Sequence, residues 1–305
     1  MKFFVDKERF GTDKRPWHGN LHGDTEGALR FAVLGDRTGF ALPGVFEQAL
    51  DKVKRMKPDF ILSVGDLIEG YRTSAQEAHE EWDEIDGMTR EIGVPFFKAI
   101  GNHDCGSALM LNVWRERYGA EYYAFRRGNA LFLILNTEDP PVPLHEKYIP
   151  VLREMERLVR QDPASGEAAL QSFFARLDQS PDEEHESGGA SPRLGEEQLV
   201  FAANVLAENR DAAWTFVIMH RPLWKTSDPG YARLEQLLED RKHTVFAGHL
   251  HDLEMTEGRS GGMLIQLGRT GACKHRAHLR DGHHILWITI ENGMPRCEVV
   301  RLDGC

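Results

Sequence analysis

Cysteine is scarce in this chain. There are four among 305 residues (Cys105, Cys273, Cys297 and Cys305), scattered and without a Cys-x-x-Cys pair. That reads against a disulfide framework and for a reduced, cytoplasmic protein. Long apolar runs are also missing. The N-terminal MKFFVDKERFGTDKRPW has no apolar core of signal-peptide length, and no run reaches the roughly 18 residues of a membrane span, so no membrane partner is expected. A basic stripe is missing as well. With a net charge of −11, the chain is not expected to bind a nucleic-acid duplex through its phosphates.

What is present is ordinary for a globular protein: 41% hydrophobic and 28% charged residues, enough chain for one large core or two modest ones. From Arg30 the pattern alternates strand, helix, strand. FAVLGD precedes a segment with apolar residues at 45, 46, 50, 53 and 56, a helical period, and the strand-like FILSVGD follows. A crossover of this length makes a parallel pair and brings Asp36 and Asp66 to the same sheet edge. Residues 73–92 read as a charged amphipathic helix with Trp82, Ile85 and Met88 inward, and VPFFKAI as a third parallel strand. Helices are expected over 108–118, 149–160, 167–177, 195–209 and 229–241. Strands are expected in EYYAF and ALFLILN around an Arg127-Gly128-Asn129 turn, and over 214–219 and 244–247. The runs 263–267, 285–290 and 297–302, separated by glycine-bearing turns, read as an antiparallel meander completing a second sheet.

Several strand-like runs end on residues that are costly to bury without partners. VPFFKAIG opens onto Asn102-His103-Asp104, FAVLG ends at Asp36, FILSVG at Asp66, and WTFVIM at His220. In Gly248-His249-Leu250-His251 two histidines occupy alternate positions and can face one side of an extended segment. In open α/β sheets ligands sit outside the carboxyl ends of the strands. Two Asp, one Asn and three His converging there make a two-metal site.

The order Gly-Asp36, Gly-Asp66, Gly-Asn102-His103-Asp104, His220, Gly-His249-Leu-His251 resembles the calcineurin-like metallophosphoesterase family, over most of the chain. The resemblance implies an α/β fold of two packed mixed sheets flanked by helices, a four-layer sandwich. It implies a metal-dependent phosphoric ester hydrolase in which a hydroxide bridging two metals attacks a phosphate mono- or diester. One metal would be held by Asp36, Asp66 and His251, the other by Asp66, the Asn102 oxygen, His220 and His249. Mixed nitrogen and oxygen ligands favour Mn, Fe, Zn, Co or Ni over Mg or Ca. His103 would protonate the leaving oxygen, and Asp104 would orient or charge His103 through a hydrogen bond. The acidity of the chain does not oppose a small phosphate ester, because metals supply local positive charge. The alternative is a metal-binding protein-interaction module on the same fold that does no chemistry.

The first motif departs from the family pattern, with Asp36-Arg37-Thr38 in place of Asp-x-His. Site one is therefore expected to be one nitrogen short and to bind its metal more weakly. Arg37 and Arg221, each beside a ligand, are candidates for phosphate contact or for structural ion pairs. Cys105, directly after the motif, is expected to pack rather than to ligate. Residues 1–29 form an N-terminal arm, polar and expected to be solvated, although His18, His22 and Asp24 lie close together. The main domain is taken as 30–305. An insertion over 139–194 is helical in its first part and acidic, Ser/Gly/Pro-rich over 178–194, a composition prone to disorder. It is either a lid or recognition loop or a surface excursion.

Overall fold

Apolar alternation in the strands sorts side chains onto two faces of each of two sheets. The computed structural model describes residues 1–19, 27–141, 146–177, 191–280 and 282–302. Strands β1 (Lys2–Phe4), β2 (Trp17–His18), β3 (Leu29–Leu34), β4 (Phe60–Ser63), β5 (Phe96–Lys98), β6 (Tyr123–Arg127) and β7 (Ala130–Ile134) precede the central helices. Later come β8 (Trp214–Ile218), β9 (His243–Ala247), β10 (Glu254–Glu257), β11 (Met263–Gln266), β12 (His283–Glu291) and β13 (Met294–Leu302). One sheet runs β13-β12-β3-β4-β5-β2 and the other β1-β6-β7-β8-β9-β11-β10. In the first, β3, β4 and β5 are parallel. In the second, β7, β8, β9 and β11 are parallel.

Between the sheets lies an aromatic core. In β3, Phe31 and Val33 face inward while Ala32 and Leu34 face the helices, the period of two that a strand imposes. Phe97, Phe125, Phe132 and Phe216 stack in succession, with ring centroids 4.2, 4.6 and 5.1 Å apart. Each fully buried Phe adds roughly 1.5–3 kcal/mol over exposure, so this layer fixes how the sheets face one another.

Helices cover the outer faces. After the short α1 (Lys7–Phe10) comes α2 (Val45–Met56), which buries Val45, Phe46, Ala49, Leu50 and Val53 on one stripe. It shares the outer face of the six-stranded sheet with α3 (Ala75–Glu91) and, beyond the one-turn α4 (Asn102–Cys105), with α5 (Ala108–Tyr118). Ser74 and Ser107 cap α3 and α5 by accepting from Glu77 and Met110 N–H, as exposed first-turn donors require. The insertion supplies α6 (Ile149–Gln161) and α7 (Pro163–Leu177). On the seven-stranded sheet lie α8 (Glu196–Glu208) and α9 (Pro229–Leu238). Four layers of two mixed sheets between helices is the architecture the sequence implied.

Two expectations need correction. The C-terminal runs do not form one meander: β11 pairs with β9 and β10 in the seven-stranded sheet, while the β12–β13 hairpin adds to β3 in the other. Alternation gives a strand its faces but does not say which edge it joins. Nor is the start of the chain a solvated arm. β1 pairs with β6 and β2 with β5, so residues 1–19 supply an edge strand to each sheet. Trp17 is buried in the inter-sheet core, stacked on Phe3 at 4.6 Å. His18 lies on Phe96 and bonds Thr89 Oγ1 at 3.0 Å. His22 and Asp24 fall outside the described residues, as do 178–190 of the acidic segment.

The described part of the insertion packs rather than wanders. Leu152, Val159 and Leu170 cluster with Phe40 and Cys273. Glu156 pairs with Arg72 at 2.8 Å, and Gln171 Nε2 donates to the Lys274 carbonyl at 2.9 Å.

Candidate metal centre

All six expected ligands lie just beyond the carboxyl ends of parallel strands, where the two sheets meet. β3 delivers Asp36, β4 Asp66, β5 Asn102, β8 His220, and β9 both His249 and His251. Asp66, His249 and His251 have φ of +54°, +69° and +59°. Non-glycine residues rarely adopt this region, and holding each there costs on the order of 1–3 kcal/mol. Three such residues among the six expected ligands is a cost the rest of the fold offsets, and it marks a candidate functional site.

Asp66, His220 and His249 offer ligand atoms that all lie within 4.8 Å of one another. His220 Nδ1 faces the Val64 carbonyl at 3.0 Å. A carbonyl only accepts, so Nδ1 carries the proton and the neutral ring's lone pair is on Nε2. Nε2 in turn meets Asp66 Oδ2 at 3.1 Å and Asn102 Oδ1 at 3.0 Å. Three electron-pair donors thus converge with nothing between them, an arrangement that fits a cation. Without a metal a proton settles the conflict. Burial alone would lower His220, but Asp66 holds it up at about 9. Burial alone would raise Asp66, but His220 and His103 pull it well below the carboxylate range.

The second cluster, site one, is built on Asp36 and His251. Asp36 Oδ2 accepts from His249 N–H at 2.8 Å and lies 3.1 Å from His251 Nε2. Among the described residues, buried Asp36 Oδ1, Thr38 Oγ1 and His251 Nδ1 have no hydrogen-bond partner. Orphaned buried polar atoms are uncommon, and these point to an ion at site one. At Gly39 (φ +95°) a Cβ would stand 2.4 Å from His251 Cε1, so only glycine lets the first motif close on that ring. The donor set therefore fits two cations, with Thr38 supplying a hydroxyl where the family has an imidazole.

His103 projects beside Asp66. Its Nδ1 donates to the Glu69 carbonyl at 2.8 Å, leaving Nε2 turned inward, 3.9 Å from Asp66 Oδ2. Burial lowers its pKa, but Asp66 and Glu69 outweigh that and raise it. Asp104 does not hydrogen-bond His103, which corrects the expected pairing. Its carboxylate accepts from Gly101 N–H at 2.8 Å, from Asp66 and Leu67 N–H at 2.9 Å and from Ile68 N–H at 3.3 Å. It is the clasp that sets the Asp66 turn. Neighbours in a helix diverge by about 100°, so the two side chains of α4 face different partners.

The two arginines separate. Arg37 turns away: it donates to the Leu67 carbonyl at 3.0 Å and pairs with Glu84 at 3.6 Å, which is the ion-pair reading. Arg221 stays at the site, with Nε on Glu138 Oε1 at 2.6 Å and Nη1 on His249 Nε2 at 2.7 Å. Cys105 is fully buried in the helix-side core, donating its thiol to the Gly101 carbonyl.

Sequence reasoning missed four contributors. Glu138 and Thr137 follow β7 and anchor Arg221, the latter by accepting its backbone N–H at 3.1 Å. Their signal, a strand run ending in Asn-Thr-Glu, was the same one that exposed the ligands. Glu69 fastens the first-motif loop by accepting from Phe40 and Ala41 N–H. His275, in the loop after β11, sets its ring edge-on to His251 with centroids 4.7 Å apart. Among the described residues no helix is long and apolar enough to cross a membrane.

The chain has relatives among known proteins. A stretch of 100 residues is 30% identical to the serine/threonine-protein phosphatase CPPED1 of Rattus norvegicus, covering 30% of this chain and 31% of the rat protein. The chain thus spans about a third of the length of the curated relatives it matches. Among solved structures, a dimetal phosphatase from Danio rerio superposes with a TM-score of 0.55 at 13% identity, covering 90% of this chain and 99% of that one. A purple acid phosphatase from Lupinus luteus gives 0.57 at 15% identity, over 92% of this chain and 52% of that one. At such identities the likeness shows the fold alone. The model of the calcineurin-like phosphoesterase family matches residues 29–253, and the chain belongs to that family.

Proposed function

We propose that the protein hydrolyses a phosphate mono- or diester at the Asp36–Asp66–His220 centre. The observation that carries this reading is that Asp66 Oδ2 and Asn102 Oδ1 both approach His220 Nε2, at 3.1 and 3.0 Å. Asp66, Asn102, His220 and His249 would hold one divalent transition metal, and Asp36, Asp66 and His251 the other. When bound, the two cations supply Lewis acidity to the phosphoryl oxygens and lower the pKa of the attacking water.

The chain's own groups do the rest. His220 keeps its proton on Nδ1 through Val64, and so presents Nε2 to the centre. Asp104 holds the turn that aims Asp66. His103, fixed by the Glu69 carbonyl, keeps a proton on Nε2. As water adds to phosphorus and the phosphorus–oxygen ester bond breaks, that proton passes to the leaving oxygen. Arg221, tied to Glu138, places a planar cation at the rim of the cluster. Intact Asn102, His103 and His249 favour hydrolysis over a module that only binds partners. The unpaired cysteines Cys105, Cys273 and Cys297 support a cytoplasmic setting.

The test is a panel of esters given to metal-free protein with and without Mn²⁺: alkyl and nitrophenyl phosphates, a linear and a cyclic diester, a nucleotide and a phosphoserine peptide. The peptide is included because the rat relative is described as a protein phosphatase. Turnover of at least one ester only when metal is present is expected. Metal-independent turnover, or none across the panel, would defeat the reading.

A further inference from the structure

Site one has lost the histidine of its first motif, and its three proposed protein donors, Asp36, Asp66 and His251, leave room for another. Thr38 is fully buried, and among the described residues its hydroxyl has no hydrogen-bond partner. His275 stands beside His251, the histidine of that site. It lies in the loop after β11, a parallel strand whose carboxyl end faces the centre like those that deliver the recognised ligands. Its ring meets His251 at 4.7 Å with an interplanar angle of 85°. His220 and His249, which share the closed ligand group, are related in nearly the same way, at 5.1 Å and 73°.

The surroundings of His275 suit a ligand better than a packing residue. Its Nδ1 is buried and, among the described residues, unpartnered. The insertion holds it from the far side. Phe174 of α7 sets its ring against that of His275 at 5.0 Å. Gln171 and Glu167 of the same helix bond the carbonyl and the N–H of Lys274, and Cys273 N–H donates to the Phe40 carbonyl at 2.8 Å. An imidazole in an irregular loop is thus anchored through the two residues before it and backed by an aromatic ring.

We propose that His275 replaces the absent first-motif histidine as a protein ligand of site one, with α7 of the insertion acting as its support. This rests on the two-metal reading above. It also gives the insertion a task, the completion of the metal centre from outside the usual motifs.

The experiment is a calorimetric titration of metal-free protein with Mn²⁺, repeated with Co²⁺ and followed by visible absorption. His275→Phe keeps an aromatic ring against Phe174 and removes both nitrogens; Thr38→His/His275→Phe returns an imidazole at the family position. Melting of the metal-free variants checks folding independently of metal. The wild type is expected to take two equivalents. His275→Phe should weaken one of them about 10- to 100-fold, the usual loss when support of a ligand set is removed, change the Co²⁺ spectrum and leave the other equivalent alone. The double variant should recover the lost affinity. Two equivalents with unchanged affinities and spectrum in His275→Phe would overturn the proposal and leave the two-metal centre standing. Fewer than two equivalents in the wild type would overturn the two-metal reading itself, and this assignment with it.

Discussion

Replacing Asp104 by Asn separates two accounts of the residue after His103. The side chains are nearly isosteric, so no cavity opens. Asp104 accepts four backbone N–H groups in two pairs, Leu67 and Ile68 on Oδ1, Gly101 and Asp66 on Oδ2. An amide can keep one pair; its NH₂ must then face the other two donors. Losing two bonds to a charged acceptor costs about 1.5–3 kcal/mol each. Removing a second buried carboxylate beside Asp66 returns part of that, leaving a net loss of about 3 kcal/mol. In a chain of this size that lowers the melting temperature by roughly 5–10 °C. The Asp66 turn loosens at the same time, so bound metal should fall with stability. The assay is differential scanning calorimetry with elemental analysis on the same sample. If Asp104→Asn melts like the wild type and keeps its metal, yet slows esters with poor leaving groups, Asp104 works through His103 after all and the clasp is wrong.

Three further outcomes follow from the same geometry. His103→Gln should retain metal and lose about 10²- to 10⁴-fold in rate on alkyl phosphates, but far less on nitrophenyl phosphate, whose leaving group departs without a proton; an equal loss on both would count against the acid role. Deleting 179–190 should leave the melting temperature unchanged, whereas extending the cut through 194 should lower it, because Leu194 is buried and Arg193 N–H donates to the Thr137 carbonyl at 3.0 Å; equal melting of the two deletions would refute this. His18, His283 and His284 are each held down to about 4, chiefly by burial. The unfolded chain therefore binds more protons between about pH 6.5 and 4, and stability should fall as pH drops through that window. A flat melting temperature from pH 7 to 4.5 would contradict their burial in the neutral form.

The proposed ligand set was readable because every member follows a short apolar strand, most of them after a glycine, and parallel strands gather their ends at one edge. Glu138 carries the same signal after ALFLILN, but it stands immediately before the proline-rich start of the insertion at 139, where the strand pattern has already ended. Asp104 was misassigned because adjacency in sequence suggests a pair, while a single turn of helix points neighbours apart. Arg37 sits beside a ligand for the same reason that it cannot reach the site: consecutive residues leave a turn in different directions. His275 lies in a loop without periodicity, far along the chain from the residues it meets, and only packing by α7 brings it in. The division of the C-terminal strands between two sheets is likewise a tertiary choice, set by which edge is open once the core has formed.

The central claim is that one carboxylate, Asp66, organises both the metal and the chemistry. Metal content and nitrophenyl phosphate turnover, measured together on dialysed wild type and Asp66→Ala with saturating Mn²⁺ restored, test it most directly. Loss of most bound metal and of activity in the same variant, with the fold preserved, is the predicted result. An Asp66→Ala protein that keeps the wild-type metal content, or a chelated wild type that turns over at its original rate, would contradict it.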